Sequence, residues 1–166
     1  KTDSPDNDMH QVTLLHDEAV AMRKKMIANL QPADLEAAAE NGDTEAAWLL
    51  VHKHEEALGV SKAWLNEREK KVFEWGEIAI QGCEEKGLSW RKWDLARKYI
   101  ETRNFDRAIE LLIEASKEGE MQANYMLGCL YCEGEIETNG ELAKHYLELA
   151  VSEEDERAMV MLARLY

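Results

Sequence analysis

The chain has 166 residues, of which 45% are hydrophobic, enough to bury one compact core or a short solenoid and too many for intrinsic disorder. Ala, Leu, Glu, Met and Lys dominate while only two prolines and nine glycines occur, a palette that favours helix over strand. With 34 acidic against 20 basic residues the formal net charge is −14, a field that repels phosphate backbones and anionic lipid and so argues against nucleic acid and membrane surfaces as partners.

Residues 1–8 are polar, contain Pro5 and show no apolar periodicity, so a flexible tail is expected there. Met9, Val12, Leu15, Ala19, Met22, Met26 and Leu30 then recur in steps of three and four, the apolar stripe of a long helix ending near Gln31. Pro32 suits the first turn of a second helix and Gly42 the left-handed position just past its end, which makes residues 9–42 an N-terminal helical hairpin.

From residue 43 the sequence repeats itself. Leu50, Leu95, Leu127 and Leu162 are equivalent: Val51, Ala96, Gly128 and Ala163 follow them, and four places on, along the same helix face, stand His54, Tyr99, Tyr131 and Tyr166. A second helix in each of the first three units has a small, large, small signature: Gly76, Ile80, Cys83; Ala108, Leu112, Ala115; Ala143, Leu147, Ala150. Small residues let paired helices approach closely, and the large ones fill the space between successive hairpins. The units run over about residues 43–86, 87–118 and 119–154, with a partial fourth, 155–166, that stops after its first helix. The first is the longest, residues 55–71 with Gly59, Val60, Ser61 and Trp64 lengthening one helix or adding a short one.

Residues 123–134, with Ala123, Tyr125, Leu127, Gly128, Tyr131 and Gly134, continue to Asn139, Gly140 and Ala143 and then Tyr146, Leu147 and Ala150; this stretch closely resembles a Sel1-like repeat. Residues 95–115 are similar to a tetratricopeptide unit with its short turn, and the resemblance as a whole covers residues 45–166. It implies an all-α fold, a short α-α superhelix (solenoid) of Sel1-like or tetratricopeptide-like hairpins, and an adaptor role in which the first helices line a concave groove. His54 departs from the usual aromatic. The cysteines also depart from the Sel1-like relatives once linked to β-lactam binding, which pair two in every repeat, whereas here Cys83 alone stands at an expected helix end.

Successive helical residues turn by about 100°, so positions two before and two after each core leucine lie about 160° to 200° from it and point away from the packing face. Trp48, Trp93, Tyr125 and Val160 stand two before; His52, Arg97, Cys129 and Arg164 stand two after; Trp90 joins Trp93 and Arg97 on one surface. Aromatic and arginine side chains opposite a core are what binding hot spots are made of. The expected partner-binding stripe is therefore Trp48, His52, Trp90, Trp93, Arg97, Tyr125 and Cys129. Glu101 and Glu133, with Glu55 and Glu56, form an acidic rim that would draw in a basic partner.

No catalytic residue is assigned, because the chain contains no Gly-rich phosphate loop, GxSxG elbow or HExxH sequence. Cys129 and Cys132 make a CxxC inside a helix without a second pair, so no metal is expected, and no cofactor. The three cysteines do not make a disulfide framework. The residues point to a protein-protein interaction module, or alternatively to an immunity-type inhibitor that blocks a basic bacterial toxin or effector by covering it. No apolar run is long enough to span a bilayer. The start at Lys1 leaves both a cytoplasmic location and, with a leader removed, a periplasmic or secreted one open, and the oligomeric state is open too.

Overall fold

The computed structural model describes the backbone of residues 5–58, 67–83, 85–133, 136 and 138–165, and the side chains of these except 5–16, 55–58, 67–69 and 133. Every regular element among them is an α-helix: α1 (Pro5–Ala28), α2 (Pro32–Glu40), α3 (Thr44–Leu58), α4 (Glu67–Ala79), α5 (Trp90–Glu101), α6 (Phe105–Lys117), α7 (Met121–Glu133), α8 (Gly140–Ser152) and α9 (Glu156–Leu165). The chain divides into two compact units, Lys1–Gln81 and Gly82–Tyr166. In the first, α1, α2 and α4 pack on α3; in the second, each of α5 to α8 packs on its successor, and α7 also meets α9.

Three expectations change. Helix α1 begins at Pro5, so residues 5–8, expected in the tail, are helical; proline is tolerated in a first turn, where its missing N–H has no partner to lose. Helix α4 stops at Ala79, so Ile80 and Cys83 of the expected small, large, small signature lie beyond it, although both are buried. The predicted stripe docks only at its end: Leu30 packs partly buried against the first-unit core, Met22 and Met26 are exposed, and Ile27, off the stripe, is buried. Trp64, Gly134 and Tyr166 lie outside the described residues.

The turns between helices repeat one geometry. After α2, Gly42 takes φ 85°, its N–H reaches the Ala39 carbonyl at 2.9 Å and Asp43 N–H reaches the Ala38 carbonyl at 3.0 Å, a Schellman turn. The same pair of bonds closes α6 around Gly119 (Gly119 to Ser116 at 3.1 Å, Glu120 to Ala115 at 2.9 Å). It also closes α5 and α8, but there Arg103 (φ 62°) and Glu154 (φ 66°) occupy the left-handed position, at a steric cost of about 1 kcal/mol or more. In two of these turns an aspartate then caps the next helix. Asp43 Oδ1 accepts from the N–H groups of Glu45 (3.0 Å) and Ala46 (3.1 Å), and Asp155 Oδ1 from that of Arg157 (2.9 Å). Arg23 of α1 pairs with Asp43 at 2.8 Å, tying α1 to the start of α3.

In the second unit the repeat signature becomes the core. Ala108, Leu112, Ala115, Ala143, Leu147 and Ala150 are all inaccessible, as are Leu95 and Leu127. The closest approach is α7 on α8, where a Cβ added to Gly128 would lie 2.6 Å from Leu147 Cγ. Tyr131 of α7 and Tyr146 of α8 stack beside it, centroids 6.1 Å apart and planes 7° from parallel. Burial pushes the Tyr146 phenol above its usual range, with the Tyr131 hydroxyl adding to the effect.

Two buried polar clips bind each hairpin across this apolar layer. Lys92, three residues before Leu95, pairs with Glu114 at 3.0 Å and with Glu118, the C-cap of α6. Asn124, three before Leu127, accepts from Ser116 Oγ at 2.6 Å and donates to both oxygens of Glu153, the C-cap of α8, at 3.2 and 3.0 Å. Desolvation opposes the charge on Lys92, but hydrogen bonds to Glu118 and Glu114 outweigh it and raise its pKa. The stabilisation is therefore complete below the ordinary lysine range and lost only in strong alkali.

Gly128→Ala should destabilise the fold by about 1–3 kcal/mol in urea denaturation despite the higher helix propensity of alanine, because Leu147 has nowhere to go. Glu154→Gly should act in the opposite sense, raising the melting temperature by about 2–4 °C through relief of the left-handed strain. Desolvation at Asp43 is outweighed by Arg23 and the Ala46 and Glu45 N–H groups, and the Arg157 hydrogen bond dominates at Asp155, so both carboxyls ionise below their usual range. Their contribution is present above the unfolded aspartate pKa of about 3.9 and lost as pH falls through the lowered values. Melting curves from pH 7 to 2 should accordingly show a shallower acid loss in Asp43→Asn/Asp155→Asn than in wild type.

Candidate functional site

The expected stripe is divided between the two units. Trp48 and His52 lie on α3 in the first. Trp48 is a core residue at 7% exposure, not an open groove residue, because α2 and α1 cover that side of α3 and place Ile27, Leu35 and Ala39 in the same cluster. Its ring meets His52 edge-on at 4.6 Å, and the His52 side chain is exposed. Facing outward from a leucine is thus not the same as facing solvent, since a third helix can claim that side.

The other positions lie in the second unit, on α5 and α7. Trp93 is half-buried, and the exposed Arg97 guanidinium lies over its ring, 5.2 Å from the centroid. Asp94 holds this corner, pairing with Lys98 at 3.2 Å and with Arg97 at 3.8 Å. Trp93 Nε1 is buried and has no acceptor among the described residues, a cost of about 1–3 kcal/mol for such a donor. One turn earlier Trp90 is 39% exposed, with the Arg91 guanidinium 5.9 Å from its ring centroid. Glu101 is exposed at the end of α5. The side chains of Glu133, Glu55 and Glu56 lie outside the described residues.

On α7 the Tyr125 hydroxyl shares a hydrogen bond with the Cys129 thiol, and this, with burial, pushes the phenol above its usual range. Both side chains are half-buried. Over the Tyr125 ring, 4.5 Å from its centroid, lies the guanidinium of Arg157 from α9. Asp155 fixes that guanidinium by a two-pronged contact, 3.0 Å to Nε and 2.6 Å to Nη2. Arg157 was not among the residues expected from sequence. Its signal is its register, five before Leu162 as Trp90 is five before Leu95.

Among the described residues the second unit carries four arginine-on-aromatic pairs, the fourth being Arg103 over Phe105 at 5.8 Å, and neighbouring acids orient the arginine in two of them, Arg97 and Arg157. No group of three or more His, Cys, Asp or Glu side chains among the described residues is arranged to hold a metal ion, and Cys83, Cys129 and Cys132 form no disulfide. No described helix is long and apolar enough to cross a membrane. Comparison of the chain with family models, with curated proteins and with solved structures gives no match.

Trp48→Ala should cost about 3–5 kcal/mol of stability, as removal of a buried aromatic does, whereas His52→Ala on the same helix should leave the unfolding midpoint nearly unchanged. Chemical denaturation of the two variants checks the assignment of Trp48 to the core.

Proposed function

We propose that the chain is a protein-interaction module, a short α-α superhelix of Sel1-like or tetratricopeptide-like hairpins that receives a partner protein or peptide on the outer side of α5 and α7. The observation that carries this reading is Trp93: a half-buried indole under the exposed Arg97 guanidinium, with an N–H left without an acceptor among the described residues. Tryptophan, arginine and tyrosine are the residues that dominate binding energy when a partner desolvates them. Trp90, exposed beside them, and Tyr125 under Arg157 extend the same chemistry along the unit. Most arginine stems cost entropy to order, but Arg157 is already held by Asp155, which lowers that cost on binding.

Outside these pairs the charge is strongly negative, −14 over the chain. That favours a partner with basic flanks, and it also supports the narrower reading of an immunity-type inhibitor that covers a basic toxin or effector. The two readings part on one measurement, whether the bound partner loses an enzymatic activity of its own when saturated with this chain.

Affinity capture from the native host's extract should recover a partner with wild type and not with Trp93→Ala/Arg97→Glu. The double variant should lose less stability than Trp48→Ala. A collapse of the double variant's melting temperature, or equal recovery by both proteins, removes the assignment of this surface.

A further inference from the structure

The strongest feature not used by this reading is the outer face of α1. Every residue from 17 to 26 is exposed, including three large apolar side chains, Val20 at 40%, Met22 at 68% and Met26 at 66%. The helix docks through a different side, with Ile27 buried, Leu30 partly buried against the first-unit core and Arg23 paired with Asp43. In sequence the exposed Ala19, Met22 and Met26 continue a run with alternating steps of three and four, positions 12, 15, 19, 22 and 26. That spacing is the heptad pattern of a helix seam that packs on another helix.

We propose that this seam pairs antiparallel with the α1 seam of a second copy of the chain. In the antiparallel register that centres on residues 20 and 21, Ala19 lies opposite Met22 of the second copy and the reverse, and Met26 lies opposite position 15, so both exposed methionines meet another seam position. Charge selects the same arrangement. The acidic residues Asp17 and Glu18 precede the seam centre and the basic residues Arg23, Lys24 and Lys25 follow it, so antiparallel helices set acid against base at both ends. Glu18 of one copy flanks the seam beside Lys25 of the other, twice per dimer.

A parallel pair is disfavoured on two counts. It would draw Glu18 toward Arg23 of the second copy, and Arg23 already pairs with Asp43 at 2.8 Å. It would also set the two α1 dipoles side by side in the same sense, whereas the antiparallel pair aligns them favourably.

Sedimentation equilibrium over about 5–200 µM protein tests the proposal, since a short seam with exposed rims falls in the micromolar range. Wild type is expected to form a dimer, and Met22→Glu/Met26→Glu to be monomeric with the same melting temperature as wild type diluted below its dissociation constant, because neither side chain contributes to the folded core. Lys25→Glu and Glu18→Lys should each weaken the dimer about five- to tenfold, and the exchange Glu18→Lys/Lys25→Glu should restore it. A wild-type monomer throughout this range, or a dimer that survives the double methionine substitution, overturns the pairing. Failure of the charge exchange to restore affinity overturns the antiparallel register.

Discussion

The second unit depends on helices approaching across surfaces of alanine and glycine. Gly128 presses on Leu147 with no room for a methyl group, and on α6 and α8 alanines flank a leucine that is wholly inaccessible. Because the contact is close, the leucines interlock and the helix pair has one register. The paired helices then bury one side each, and the opposite sides of α5 and α7 are left to carry Trp90, Trp93, Arg97 and Tyr125. The chemistry at the candidate surface is thus a consequence of how little space the core side takes.

Apolar layers alone tolerate sliding, and the two polar clips oppose it. Lys92 and Asn124 occupy the same register on α5 and α7, and each reaches the glutamate that ends the following helix. A buried ammonium or amide that loses its partner costs more than the pair contributes when made, so the clips act chiefly against wrong registers. The Schellman turns set the path between helices, and at Arg103 and Glu154 the chain accepts left-handed backbone at residues with side chains to keep that path.

The outer faces of the molecule differ in how they are prepared. In the second unit Arg97 and Arg157 lie over aromatic rings and are each paired with a neighbouring aspartate. On α1 the exposed methionines have flexible, polarisable side chains suited to packing against another helix without exact shape matching. The proposed partner surface and the proposed helix seam thus differ in chemistry, and they belong to different units.

Local periodicity in the sequence determined the helical class, the helices on which Leu50, Leu95 and Leu127 and their following partners stand, and the alanine and leucine positions of the second-unit core. These follow from 3.6-residue geometry and from glycine or acidic caps, which act within a few residues. The register of Lys92 and Asn124 was also present in the sequence, but a lysine three places before a leucine acquires meaning only when a glutamate from the next helix arrives beside it. Tertiary structure alone decided that Trp48 is core, that Met22 and Met26 of α1 stay outside while Ile27 docks, and that α4 ends before Ile80 and Cys83. The physical reason is that a helix has several faces of comparable apolarity, and which of them is buried depends on the neighbours that reach it rather than on the helix's own residues.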